Sequence, residues 1–361
     1  MEEQIPKIEA VAKRTWPVVM AWIGSTTAVI GFVASIAGGV TWLNNHQRHN
    51  VEYKAKMALA QTQSSQEQYQ AALSTYADIL KDDPLNRQAL DAQLDTAMLW
   101  VENFSLYVGQ ERDESGNLSA SALDEVLPVL SSGLTRFKQT RLADVEAHLG
   151  WAHFLNAKLA QRENDSVAVD DWHNALATDP TNVYANAMVG NWMLQADGDL
   201  KEAVEHFHTA IRTGRARPFV RRLQVGGLLY LEISGARAEM MRVANEMRQG
   251  GEQLDIGLRH RISGWCFDPI VTNHQELRET LRAVSTDDAW QTYLWLDVSG
   301  ESGSPEERTL KQEFIHANLL ELSGSLDAAL SEFRQIQRKL RDRPGSLRDQ
   351  VEAAIERLAH H

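Results

Sequence analysis

The densest chemistry in this sequence is a run of arginines. Between Arg212 and Arg261 lie ten arginines and no lysine, with five acids among them, so the stretch carries +5 in a chain of formal charge −13 and the remainder carries −18. A guanidinium grips a carboxylate through two parallel N–H bonds, which a lysine cannot do. Arg215, Arg217, Arg221 and Arg222 sit close together and form a candidate patch for an acidic segment of a partner. The bland alternative is a solvated face whose arginines pair with the chain's own acids.

Other reactive residue types do not assemble into a site. The single cysteine, Cys266, has His260 and His274 near it in sequence, which could suggest a nucleophile and its base. Trp265 and Phe267 flank it, however, and favour a buried structural thiol. His46 and His49, and His206 and His208, lack the spacing that brings two ligands onto one helix face as a zinc motif does. No phosphate-binding glycine loop and no nucleophile-elbow motif occurs, and Gly300-Glu301-Ser302-Gly303 reads as a turn. The sequence points to a non-enzyme with no cofactor and no metal.

The elements that must position the arginines are helices. With 36 basic and 49 acidic residues, the chain also lacks the basic footprint of a nucleic-acid binder. The stretch Asp170–Gly214 sets the grammar: Gly190, Trp192 and Ala203 mark a helix crossing, Phe207 and Ala210 close it, and Gly198 lies in the turn. Asp179-Pro180-Thr181-Asn182 ends the preceding helix, as Asp83-Pro84-Leu85-Asn86 does earlier, because proline has no N–H to continue the ladder. Tryptophans 151, 172 and 192 read as core. No run of alternating strand character appears, so the fold class is all-α.

These residues resemble the tetratricopeptide repeat family, whose units are helix–turn–helix pairs of about 34 residues. Residues 183–218 show the likeness best, through Gly190, Gly198, Ala203, Phe207, Ala210 and Pro218. Residues 56–86 show it through Ala60, Ala72, Tyr76 and Pro84, and residues 149–180 through Gly150, Trp172, Ala175 and Pro180. Residues 310–344 show it through Ala317, Gly324, Ala329 and Phe333. The resemblance implies an α-solenoid of helical hairpins that binds a protein or peptide on its surface. Some family members clamp a terminal carboxylate with Lys, Asn and Arg. Asn191 matches one such position and is a candidate contact, whereas Ala187 stands where the clamp lysine would be, so the clamp is not carried over.

Ahead of the repeats, residues 16–43 contain no charge and are bounded by Trp16 and Trp42 near the ends. A helix of that length reaches roughly 40 Å, enough to span a bilayer with tilt. The expected order is an N-terminal flank (1–15), a single transmembrane helix (16–43), a juxtamembrane helix (44–65) and a tetratricopeptide-like solenoid (66–361). A cleaved signal peptide ending near Ser35-Ile36-Ala37 is the alternative. Lys13 and Arg14 lie closest to the apolar edge and put the N-terminus in the cytoplasm, with the bulk on the other side of a bacterial inner membrane or its equivalent. The expected work is that of a tethered scaffold for assembly or quality control of an envelope complex. A rival reading is a regulatory or sensor subunit of a membrane enzyme. Within the span, Gly24, Ala28, Gly31, Ser35 and Gly38 leave one face almost bare, which suits close packing of a second helix, including another copy of this chain. Replacing Gly31 by Leu should abolish self-association in a membrane two-hybrid assay; an unchanged signal removes that role.

Overall fold

A computed structural model describes residues 51–104, 121–159, 166–196, 199–268, 271–297, 305–341, 343 and 345–360. The expected membrane span, with Gly24, Ala28, Gly31, Ser35 and Gly38, lies outside the described residues, as does Gly198. Among the described residues every regular element is a helix, and none is long and apolar enough to cross a membrane. The chain forms two compact units, one ending at Asn103 and one beginning at Phe104.

The first unit has α1 (residues 51–65), α2 (Tyr69–Asp82) and α3 (Arg87–Asn103). Residues 51–65, expected as part of a juxtamembrane helix, form the first helix of a hairpin. Met57 and Ala60 of α1 bury themselves against Ala72, Tyr76 and Ile79 of α2, and Ala89 of α3 closes the cluster.

The second unit begins with the short α4 (Ser121–Asp124) and α5 (Val126–Gly133). The hairpin of α6 (Gln139–Leu159) and α7 (Ser166–Thr178) follows, then that of α8 (Val183–Ala196) and α9 (Leu200–Arg212). Next come α10 (Arg217–Leu228), α11 (Ala236–Gln249), α12 (Ile256–Phe267), α13 (His274–Arg282) and α14 (Thr286–Leu296). The last three are α15 (Pro305–Leu322), α16 (Leu326–Lys339) and α17 (Ser346–Ala359).

One packing rule recurs in both units. The second helix of each clear hairpin buries an alanine, then a large ring four residues on, then a smaller side chain three residues later: Ala72-Tyr76-Ile79, Ala168-Trp172-Ala175, Ala203-Phe207-Ala210 and Ala329-Phe333-Ile336. Those offsets put all three side chains on one face. Each first helix buries a small residue as well: Ala60, Gly150, Gly190 and Ala317. The space at two of these is tight enough to measure. A Cβ built on Gly190 would lie 3.1 Å from the Ala203 carbonyl oxygen and from the Phe207 ring. On Gly150 it would lie 2.6 Å from Trp172 Nε1. The ring therefore lies across bare backbone. Trp192 departs from the expected reading. It is only half-buried, because two residues past Gly190 turn it through about 200° away from the crossing, while Trp151 and Trp172 are core as expected.

The two Asp-Pro-x-Asn turns also share a mechanism. Asn86 Oδ1 accepts the Ala89 N–H at 3.0 Å, and Asn182 Oδ1 accepts the Ala185 N–H at 2.9 Å. Proline stops one helix and the asparagine caps the next. Near the C-terminus a single buried carboxylate ties three helices: Glu321 of α15 accepts from Arg278 of α13 at 2.6 Å and from Arg357 of α17 at 2.8 and 2.6 Å. Burial alone would raise its pKa, but the two guanidiniums outweigh burial and hold it low.

Glycine-to-alanine changes should therefore rank by the space each meets. Gly150→Ala should cost about 1–2 kcal/mol through the clash with Trp172, with Gly190→Ala milder. Gly226→Ala, whose Cβ meets nothing within 4 Å, should gain up to about 1 kcal/mol from helix propensity. Denaturation of the three variants followed by circular dichroism checks the order. Equal midpoints for Gly150→Ala and Gly226→Ala would contradict it.

Candidate partner-binding site

The arginine segment folds as the end of α9, the turn to α10, then α10 through α12. Most of its guanidiniums are engaged by the chain's own carboxylates. Arg215 donates to Asp144 Oδ2 at 2.9 Å, and the buried Asp144 also accepts from Asn182 Nδ2 at 2.7 Å. This ties the turn after α9 to α6, and the hydrogen bond that Arg215 donates to Asp144 raises the pKa of Arg215. Arg217 reaches Glu252 at 2.8 Å. Arg221 is only 3% exposed and donates to Gln224 at 2.7 Å, to Glu246 at 2.9 Å and to Glu252 at 3.4 Å. Arg222 stays exposed, with its guanidinium 5.5 Å from the centre of the Phe219 ring. Asn191 is buried at 3% exposure, accepts from Gln195 at 3.2 Å and packs against Gly227.

The structure thus brings Arg217, Arg221 and Arg222 together and leaves Arg215 and Asn191 in separate internal contacts. Around the first three lies a groove of about 570 Å³ between α10, the end of α11 and the start of α12. Its floor is apolar, from Val225, Leu229, Met247, Leu254 and Leu258. Arg222 and Arg261 stand exposed among its lining, and Arg261 makes no hydrogen bond or ion pair with any described residue. Gly226 also lines the groove. The aliphatic lining escapes a reading of charge alone, and Arg261 belongs to the arginine run but not to the candidate patch. The signal was the Gly226-Gly227 pair: Gly227 lets Asn191 and Leu194 pack close, and its neighbour Gly226 leaves the groove open.

In the first turn of α11, Glu239 is a buried carboxylate at 3% exposure. It pairs with Arg242 at 2.5 Å, yet its Oε1 has no hydrogen-bond partner among the described residues. Burial and the nearby Glu246 raise its pKa to about 7, against the opposing pull of Arg242 and Arg221. Desolvation wins over the ion pair here.

A larger cavity of about 790 Å³ lies between the α10–α11 turn, α13 and α17. Its cation, Arg237, is already stacked 3.3 Å from the centre of Trp265 and paired with Glu276 at 3.4 Å. The smaller groove joins an apolar floor to exposed cations and is the better binding surface. Cys266 is fully buried, its thiol pushed up to about 12 by desolvation, and its hydrogen-bond partner is the Arg237 carbonyl oxygen at 4.0 Å. A thiol so placed stays protonated and unreactive.

The raised pKa of Glu239 sets a pH dependence. Between the ordinary value of 4.5 and about 7 the folded state holds more protons than the unfolded one. The stabilisation from this group is therefore fully present below about pH 4.5 and lost as pH rises through about 7. Glu239→Gln should remove that loss, so its stability relative to the parent should improve by about 2 kcal/mol between about pH 5 and about pH 8. Urea unfolding at the two pH values measures it, and a constant offset would contradict the assignment. No protein-family model matches the chain, and no curated protein matches it.

Proposed function

We propose that this chain is a membrane-tethered scaffold of tetratricopeptide-like hairpins that binds a protein partner through the groove between α10 and α12. The groove itself carries the reading: an open, largely apolar channel with exposed arginines in its lining, beside the buried ion pairs of Arg221. A site of this kind works by shape and display. Aliphatic burial supplies affinity, and the cations choose among partners.

Three sequence features support the wider reading. The Ala-x3-aromatic spacing recurs on the second helix of four hairpins, as in the tetratricopeptide family, and a hairpin stack leaves side chains on its surface free for recognition. The uncharged run of residues 16–43 supplies the tether, which raises the effective concentration of the scaffold beside other membrane components. Lys13 and Arg14 favour an N-terminus in the cytoplasm and a scaffold on the far side, suited to assembly or quality control of an envelope complex.

A photo-crosslinking residue placed at Leu258, within the groove, should yield polypeptide adducts in native membranes, and one at the exposed Leu326 on α16 should not. Gly226→Trp, which fills open space, should abolish the Leu258 adducts. Adducts of equal yield at both positions, or adducts that survive Gly226→Trp, would defeat the proposal.

A further inference from the structure

Building on that reading of the groove, we infer that its occupant is an extended segment of a partner protein, with aliphatic side chains bracketed by aspartate or glutamate. Two independent observations point there, one from charge and one from the main chain.

The charge argument compares the groove's ions. Glu252 is held by Arg217 and Arg221, and Asp255 Oδ1 accepts the Leu258 N–H at 2.8 Å as the cap of α12. The groove's acids are thus occupied by the fold. Arg222 of α10 and Arg261 of α12 are exposed on the two helices that border the groove, whose other lining residues are largely aliphatic. A segment with a carboxylate on each side of an aliphatic core complements both arginines and the aliphatic lining. A basic segment would meet like charge at both arginines.

Residues 252–255 line the groove without being helical. The Glu252 N–H donates to the Met247 carbonyl at 2.9 Å, and the Asp255 carbonyl accepts from Arg259 at 3.0 Å. Between them, the backbone groups of Gln253 and Leu254 make no hydrogen bond with any described residue. A helical occupant would satisfy its own main chain and leave these groups in water. An extended one can pair with them, as a peptide does when it adds itself to an exposed edge. Beyond the first turn of α12, the helices on either side offer no such groups, because their backbones are bonded internally. The groove therefore selects conformation as well as charge.

The test uses the full chain in zwitterionic nanodiscs and fluorescein-labelled decapeptides with a Val/Leu core. The peptide bracketed by aspartates should bind, and its lysine-bracketed counterpart should bind roughly tenfold more weakly. N-methylation of the core amides should weaken binding several-fold, and Gly226→Trp should abolish it. The double variant Arg222→Glu/Arg261→Glu should reverse the preference. Both side chains are exposed, and a gain of binding to the lysine peptide itself proves the variant folded. Equal binding of the two peptides, or a preference unmoved by charge reversal, would overturn the inference. If a lysine- or serine-bracketed peptide is preferred and Gly226→Trp still blocks it, the occupant is wrong while the protein-binding groove stands. If no peptide binds and the chain instead floats with phosphatidylglycerol vesicles through Arg222 and Arg261, both readings fail.

Discussion

A helical hairpin has one apolar face, and two helices can share it only if their backbones come close. In this protein the approach is set by a missing side chain. Gly150 and Gly190 leave room for Trp172 and Phe207 to lie across the partner helix, and Ala60 packs in one cluster with Tyr76. Large rings bury most apolar area per residue, so the seam concentrates the hydrophobic stabilisation of each hairpin at one contact. Everything else is arranged around keeping that contact in register. The Asp-Pro-x-Asn turns stop and restart the chain at fixed points, and the Asp144–Asn182–Arg215 contact joins α6 to the turns on either side of the α8–α9 hairpin.

The groove exists where this regularity loosens. At α10 the small residues are doubled: Gly227 satisfies the packing against Asn191 and Leu194, and Gly226 is left facing open space. The end of α11 then releases a non-helical stretch before Asp255 caps α12. Buried ions hold this opening in shape. Arg221 is fixed by three partners, and breaking a buried pair costs far more than exposed pairs contribute. The arginines read in sequence as one patch therefore divide by burial. Arg217 and Arg221 are tied into internal ion pairs, and Arg222 stays exposed.

Much of the helical grammar was legible in the sequence because it rests on local spacing. Ala203, Phe207 and Ala210 announce a buried face by their offsets alone, and Pro84 and Pro180 announce helix ends through missing N–H groups. The α10–α11 hairpin departs from that spacing. Its buried ring is replaced by Met240, and its charged residues pair across helices rather than with neighbours in sequence. The groove floor was not legible for the same reason. Leu229, Met247 and Leu258 are ordinary aliphatic residues until three separate elements bring them together. Trp192 misled because residue type favours burial, whereas its angle from Gly190 does not.

Amide hydrogen exchange on the full chain, without any partner, tests the central claim most directly. The account requires the Gln253 and Leu254 amides to exchange at nearly the rate of an unstructured peptide while α10 and α12 on either side stay protected. Protection of those two amides equal to that of the flanking helices would mean the edge is already paired, and the groove as a binding site for an extended segment would be lost.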